Sequence, residues 1–232
     1  MLALRWFRDG RDVPALARDH GVSRATGYRY LDEAIAVPAT PAPDLHDALR
    51  QAKASGATHL VLDGKLFAAD RFGEKATSVK GERIDAWYSG KAHDHGGNCQ
   101  VVMAPDGFPL WASDVEPGST HDLTAAREHV LGVLYWAASQ LGLPTLADGG
   151  YDGTGIGALA PVKQPPGNQV LDADAKAYNA LLRDLRALGE RGFALLTSRW
   201  RAFRHTTTSP RKIGDIVKAA LVLTHFEHGW LT

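Results

Sequence analysis

One cysteine, Cys99, stands among 232 residues, so no intrachain disulfide and no thiolate-rich zinc site can form, and the chain suits a reducing, cytoplasmic compartment. Long apolar runs are also missing. No stretch is long or apolar enough to span a bilayer, and the charged opening MLALRWFRDGRD is not a secretory signal. There is no excess of either charge: 26 basic and 26 acidic residues cancel, so any case for nucleic acid rests on local clusters. His93, His95 and His121 match no tetrahedral zinc spacing, which leaves them as loop histidines.

What is present is organised around residues 145–153, TLADGGYDG. The apolar run 143–147 predicts a short buried strand that stops at Asp148, where two glycines turn the chain and keep bulk away from the carboxylate. A strand followed by an Asp-Gly turn is common by itself. However, the run 59–62 (HLVL) ends the same way at Asp63-Gly64, so two acids are expected at the ends of buried strands. Between them, residues 97–104 and 108–114 predict a strand pair joined by Pro105-Asp106-Gly107, a turn sequence. Ser119 or Thr120 is placed to cap a helix starting near His121 and Asp122 and reaching 141. One more short strand is expected at 158–162. From 173 to 203, Leu182, Leu185, Gly189, Phe193, Leu196, Trp200 and Phe203 recur at threes and fours, the face of a long helix with Glu190 at its border. A surface pair with Arg186 is the plain explanation of that acid, but Arg ahead of Glu is the weaker orientation.

The two ends carry the cations. Residues 13–20 have helical spacing, Gly21 ends that helix, and Ser23 can cap a second one at 24–35 that bears Arg24, Thr26, Arg29 and Tyr30. This is the outline of a helix-turn-helix. Only residues 2–8 remain for a preceding helix, so the module reads as shortened and Met1 as an internal methionine of a longer frame. Proline alternates with small residues at 37–43 (VPATPAP), which reads as a semi-rigid linker. The expected division is therefore a DNA-binding module at 1–36, a linker at 37–43 and a larger unit at 44–232. Near the other end Arg199, Arg201, Arg204, Arg211 and Lys212 precede an apolar helix at 213–226 and suit phosphate contact.

Strand, hairpin, helix, strand, weak strand and long helix, in that order, predict an α/β ribonuclease H-like fold, a mixed sheet flanked by helices. In that architecture Asp63, Asp148 and Glu190 converge. Three packed carboxylates repel unless a divalent cation sits among them, and Mg²⁺ is the natural occupant. Two such ions, roughly 3.5 to 4 Å apart, activate the attacking oxygen and stabilise the leaving one in phosphodiester displacement.

Asp148-Gly149-Gly150-Tyr151-Asp152 resembles the D-x-G-Y-D signature of DDE transposases from bacterial insertion sequences, the group related to Harbinger-type elements. Asp63-Gly64, Tyr88-Ser89-Gly90-Lys91, Pro117-Gly118-Ser119-Thr120-His121-Asp122, and Arg186 four residues before Glu190 are similar to the same family, over roughly residues 3 to 228. The resemblance implies a cytoplasmic Mg²⁺-dependent enzyme, with Mn²⁺ as a substitute, working as a homodimer or higher oligomer on double-stranded DNA. It binds element ends, cuts a strand with water and joins the freed 3′ hydroxyl to target DNA. By residue, the resemblance has Asp63 bridging both metals, Asp148 and Glu190 each holding one, Asp122 as the alternative second acid, and Lys91 and Arg186 facing DNA. Arg183 and Thr197 depart from it: the signature has Tyr three residues before the Arg and Lys seven after the Glu. Thr197 loses a cation that would face the DNA backbone, and the sequence leaves open whether Arg199 replaces it. The alternative these departures leave is a catalytically defective remnant that only binds DNA.

Overall fold

The computed structural model describes residues 1–230 apart from Val79 and Asn168. It opens with three helices, α1 (Leu2–Asp9), α2 (Val13–Asp19) and α3 (Arg24–Ala39). Asp12 accepts from the Ala15 N–H, and Ser23 accepts from the Thr26 N–H, so side-chain caps start α2 and α3 close to where the sequence places them. The far end of α3 corrects the linker expected at 37–43. Val37, Pro38 and Ala39 are helical, because a proline in the last turn removes a single hydrogen bond and Thr40 closes the helix with its N–H and hydroxyl both on the Ala36 carbonyl. The three helices share one buried cluster with the C-terminal part of the chain: Phe7 meets Trp200 edge-on at 6.1 Å, and Leu31 and Ile35 lie in the same core as Ile216 and Ala220.

Asp44 caps α4 (Leu45–Ala54), which leads into β1 (Leu60–Ala68). This strand does not end at Asp63. It continues through Gly64 to Ala68, because β2 (Lys75–Thr77), β3 (Arg83–Asp85) and β4 (Tyr88–Ser89) deliver the chain into a ten-residue partner, β5 (Asp94–Met103), that pairs antiparallel with β1 from Val61↔Met103 to Ala68↔Gly96. The Pro105-Asp106-Gly107 turn forms as expected and returns β6 (Pro109–Ala112) onto β5, with Gly107 at φ +82° and Asp106 accepting from the Phe108 N–H. β7 (Glu116–Pro117) adds to the same edge.

α5 (Asp122–His129) and α6 (Leu131–Gln140) follow. His121 is the N-cap of α5 and makes no side-chain cap bond, so neither Ser119 nor Thr120 has the capping role expected of it. Their backbones are used instead to fasten the loop: Ser119 N–H donates to the Ala86 carbonyl, and the Thr120 carbonyl accepts from Asn98. β8 (Thr145–Leu146) pairs parallel with β1, and β9 (Ala158–Leu159) parallel with β8, giving the order β4-β5-β1-β8-β9. The long helix expected at 173–203 is two helices, α7 (Ala173–Arg186) and α8 (Gly189–Thr197), followed by a short 3-10 turn at Arg201–Arg204 and by α9 (Ile213–Glu227). The break has a packing cause. A Cβ on Gly189 would stand 2.9 Å from Val61 Cγ1, and one on Gly192 would stand 2.6 Å from Met103 Sδ. α8 is therefore held close against the sheet at these two glycines, and Leu185, expected on the buried face, is exposed.

Strand alternation sends the two faces of the sheet to two cores. Val61, Val101 and Met103 pack with α9 and the N-terminal helices, whereas Leu60, Leu62 and Val102 pack with α4, α5 and α6. This is a mixed sheet flanked by helices, consistent with a ribonuclease H-like domain. Among the described residues no helix is long and apolar enough to cross a membrane.

Candidate active site

Asp63 lies at the centre of β1, on the face it shares with Val61. Its carboxylate accepts from the Gly64 N–H at 2.9 Å. Burial, and after it the negative charge of Asp148, raise its pKa from an ordinary 3.8 to about 6, while the Arg186 guanidinium pulls the other way and Asp122 adds a smaller push. β8 explains why Asp148 is close: Val61 pairs with Leu146 in a parallel register, so two residues further on the chain sets Asp148 beside Asp63. Asp148 accepts from the Gly150 N–H at 2.8 Å, a short turn that presents its carboxylate beyond the strand end. The glycine at 149 leaves open space, as a Cβ there would meet nothing within 4 Å.

Glu190 arrives in the first turn of α8, exposed. Together with Asp63 it lines a hollow of about 240 Å³, shared with Arg183, Arg186 and Gly189. The ion pair with Arg186 is not made; Arg186 stands close enough to Asp63 to act on its charge, and the Arg186 Nε is buried with no partner among the described residues. Lys65, two residues beyond Asp63 on the same face, lies over the Phe193 ring at 5.2 Å. The period of two in a strand is the signal that would have added it to the site.

Asp122 approaches from the other side. A Cβ on Gly64, which faces opposite to Asp63, would stand 2.5 Å from Asp122 Oδ1 and 2.7 Å from Gln100 Nε2. Lys91, at the tip of the β4–β5 hairpin, donates to Asp122 Oδ2 at 2.8 Å. The bond to Asp122, with the charges of Asp122, Asp148 and Asp63, raises the Lys91 pKa, in that order of effect. A larger hollow of about 560 Å³ opens on this side, lined by Gly64, Tyr88, Lys91, Asn98 and His121 among others.

The structure thus brings Asp63 and Asp148 together, sets Glu190 across a hollow from Asp63, and seats Asp122 on the opposite face. Among the described residues no three His, Cys, Asp or Glu side chains are gathered closely enough to hold one ion. The donors at Asp63 and Asp148 are nonetheless what a hard divalent cation takes: carboxylate oxygens only, one of them destabilised by the like charge of its neighbour.

The cations expected to meet DNA divide into two groups. Arg24 and Arg29 are exposed on α3, over the rings of Tyr28 and Tyr30. Thr26 is tied to the Ser23 hydroxyl at 2.9 Å, and Tyr30 is half-exposed beside an apolar groove. Arg201 and Arg204 are exposed and make no ion pair among the described residues. Arg199 is different. It makes a two-pronged pair with Glu227 and covers Trp200, so it is not free to stand in for the cation missing at Thr197. Arg211 and Lys212 are likewise paired, with Glu74 and Asp32. The sequence shows few acids near this tail because all three partners come from elsewhere in the chain.

No curated protein and no solved structure matches the chain. Residues 62–225, more than half of it, match the family described as DDE superfamily endonuclease, whose members typically use divalent metal ions. That span starts one residue before Asp63 and takes in Asp122, Asp148 and Glu190. The chain belongs to the DDE superfamily endonuclease family.

Proposed function

We propose that the chain is a transposase that nicks DNA at the ends of an insertion sequence and joins the freed end to target DNA. Asp63 and Asp148 would hold Mg²⁺, or Mn²⁺ in its place, with Glu190 as the third ligand. The observation that carries this reading is the half-buried Asp63 carboxyl, its pKa raised to about 6 beside Asp148 in a DDE-family chain. A cation is what would relieve that repulsion. When bound, the divalent ion supplies Lewis-acid activation of the attacking oxygen and neutralises charge on the leaving one. The chain's own part is binding and orientation. Lys91 and Arg186 flank the two aspartates from opposite sides and suit the non-bridging oxygens of a phosphodiester. In cleavage a water oxygen bonds to phosphorus as the bond to the 3′ oxygen breaks; in joining, that 3′ hydroxyl takes the place of water.

Residues 1–36 serve in this reading as a helix-turn-helix DNA-binding module. Arg29 lies on the side of α3 away from buried Gly27, Leu31 and Ile35, Thr26 and Tyr30 lie toward its flank, and Arg24 stands at its exposed first turn. Arg201 and Arg204 extend the basic surface. Assembly as a homodimer or larger oligomer on DNA, in the cytoplasm, completes the proposal.

A second reading, a remnant that binds DNA without cutting it, is favoured by one observation. The Thr197 hydroxyl is turned back onto the Phe193 carbonyl, and Arg199 is engaged by Glu227, so Arg199 does not replace the lysine absent at 197. A nicking and strand-transfer assay on labelled element-end DNA separates the readings, run with Mg²⁺, with chelator, and with Asp63→Ala. Metal-dependent cutting that Asp63→Ala abolishes supports the transposase. Binding without cutting, unrepaired by Thr197→Lys, supports the remnant.

A further inference from the structure

Asp122 has both oxygens occupied. Oδ1 accepts from Asn98 Nδ2 and Oδ2 from Lys91 Nζ, each at 2.8 Å, and its side chain is only 14 % exposed. The Asn98 amide is fixed in turn. Its Oδ1 accepts from Gln100 Nε2 at 3.2 Å, and Gln100 Oε1 accepts from the Tyr151 hydroxyl at 2.7 Å. Tyr151 and Gln100 have no exposed surface and Asn98 has 5 %. The carboxylate at the end can only accept, which sets the direction of every earlier link: Tyr151 donates to Gln100, Gln100 to Asn98, Asn98 to Asp122. The run passes directly beneath Gly64, where any side chain would strike both Gln100 and Asp122. Asp122 therefore reaches the strand from the face opposite Asp63, and what it presents at the strand ends is the Lys91 ammonium. Asp122 Oδ2, the oxygen that holds Lys91, would lie 3.8 Å from a Cβ on Gly150, inside the Asp148 turn.

Resting on the reading of Asp63 and Asp148 as the metal-holding pair, we propose that Asp122 is not a metal ligand but the seat of Lys91. The buried chain from Tyr151 through Gln100 and Asn98 fixes that seat, and the seat holds the ammonium where it meets a phosphate oxygen of the DNA being cut. Tyr151, Gln100, Asn98 and Asp122 are then positioning residues, acting through Lys91.

Two measurements on the full chain test this. Mn²⁺ binding, without DNA, is read by water-proton relaxation; DNA affinity and nicking of supercoiled plasmid in Mn²⁺ are read in parallel. Asp63→Asn should weaken Mn²⁺ binding at least tenfold, whereas Asp122→Asn should keep it within about threefold and weaken DNA affinity or nicking about tenfold, the worth of one charge-assisted contact. Lys91→Gln, an exposed change that leaves the fold intact, should match Asp122→Asn, and the double variant should be no worse than either. Tyr151→Phe should weaken the DNA readouts in the parent but add nothing in Asp122→Asn, a pattern that general loosening of the fold would not give. The proposal is overturned if Asp122→Asn weakens Mn²⁺ as Asp63→Asn does, if the Lys91 and Asp122 effects multiply, or if Lys91→Gln changes neither DNA readout. Unaltered Mn²⁺ binding in Asp63→Asn would instead remove the metal-holding pair, an outcome distinct from all of these.

Discussion

Replacing Asp63 by Asn should make the metal-free chain more stable at neutral pH and leave it nearly unchanged near pH 4. The folded state holds the Asp63 proton up to about pH 6, against an ordinary 3.8. Between those values the native chain binds more protons than the unfolded one, so stability falls as pH rises through the window and levels off above it. At about 1.36 kcal/mol per pH unit, the two-unit gap makes the charged group cost the fold about 3 kcal/mol at pH 7.5. Asn keeps an acceptor for the Gly64 N–H and removes the charge that Asp148 opposes. Urea unfolding with chelator at pH 4 and pH 7.5, parent against Asp63→Asn, isolates the effect, since every other titrating group is common to both. The variant should gain about 3 kcal/mol between the two pH values, and Mn²⁺ should stabilise the parent alone at pH 7.5. A difference between variant and parent that stays flat with pH would refute the assignment of a strained, uncompensated carboxylate at 63.

Gly64→Ala puts a methyl 2.5 Å from Asp122 Oδ1 and 2.7 Å from Gln100 Nε2; it should cost about 3 kcal/mol in urea unfolding, overpacking a site that cannot give way. Gly107→Ala, at φ +82° and 1.9 Å from the Leu188 carbonyl, should cost at least about 2 kcal/mol and open the α7–α8 junction to limited proteolysis. DNA binding titrated with salt should lose about 0.9 from its log–log slope for each of Arg24→Gln, Arg29→Gln, Arg201→Gln and Arg204→Gln that removes a phosphate contact, and keep its slope in Arg211→Gln and Lys212→Gln, whose cations are neutralised within the chain.

Much of this was legible from spacing alone. The cap at Ser23, the Pro105-Asp106-Gly107 turn and the apolar run before Asp148 are local signals, and each produced its element. The misreadings arose where a distant partner decided the outcome. β1 runs past Asp63 because β5 continues to pair with it, and Asp63-Gly64 imitates a strand end only because Gly64 must make room for Asp122. The 173–203 helix breaks because Gly189 and Gly192 are contact points with Val61 and Met103, a fact no helical period carries. The basic tail looked free because Glu227, Glu74 and Asp32 are remote in sequence. Asn98 and Gln100 did leave a trace: two polar residues, two apart, in the strand GGNCQVVM, which asks for a polar purpose on that face.

That alternation also supports the proposal of Asp148, rather than Asp122, as companion to Asp63. Residues of one strand at odd and even positions face opposite ways, and Val61 with Asp63 faces α8 while Gly64 and the Asn98–Gln100 pair face α5. An acid entering from α5 must reach past the strand to join Asp63, and Asp122 instead ends its reach in Asn98 and Lys91. An acid on the adjacent parallel strand, two residues beyond the Val61–Leu146 pair, needs no such reach. The same geometry explains why the D-x-G-Y-D stretch binds the two faces together. Asp148 turns toward Asp63, and Tyr151, one short turn later, passes to the other core and fastens Gln100. A displacement of that turn would therefore move the Asp148 carboxylate and slacken the Lys91 seat at once, so in the proposed reading metal and phosphate positioning both depend on one five-residue segment, 148–152.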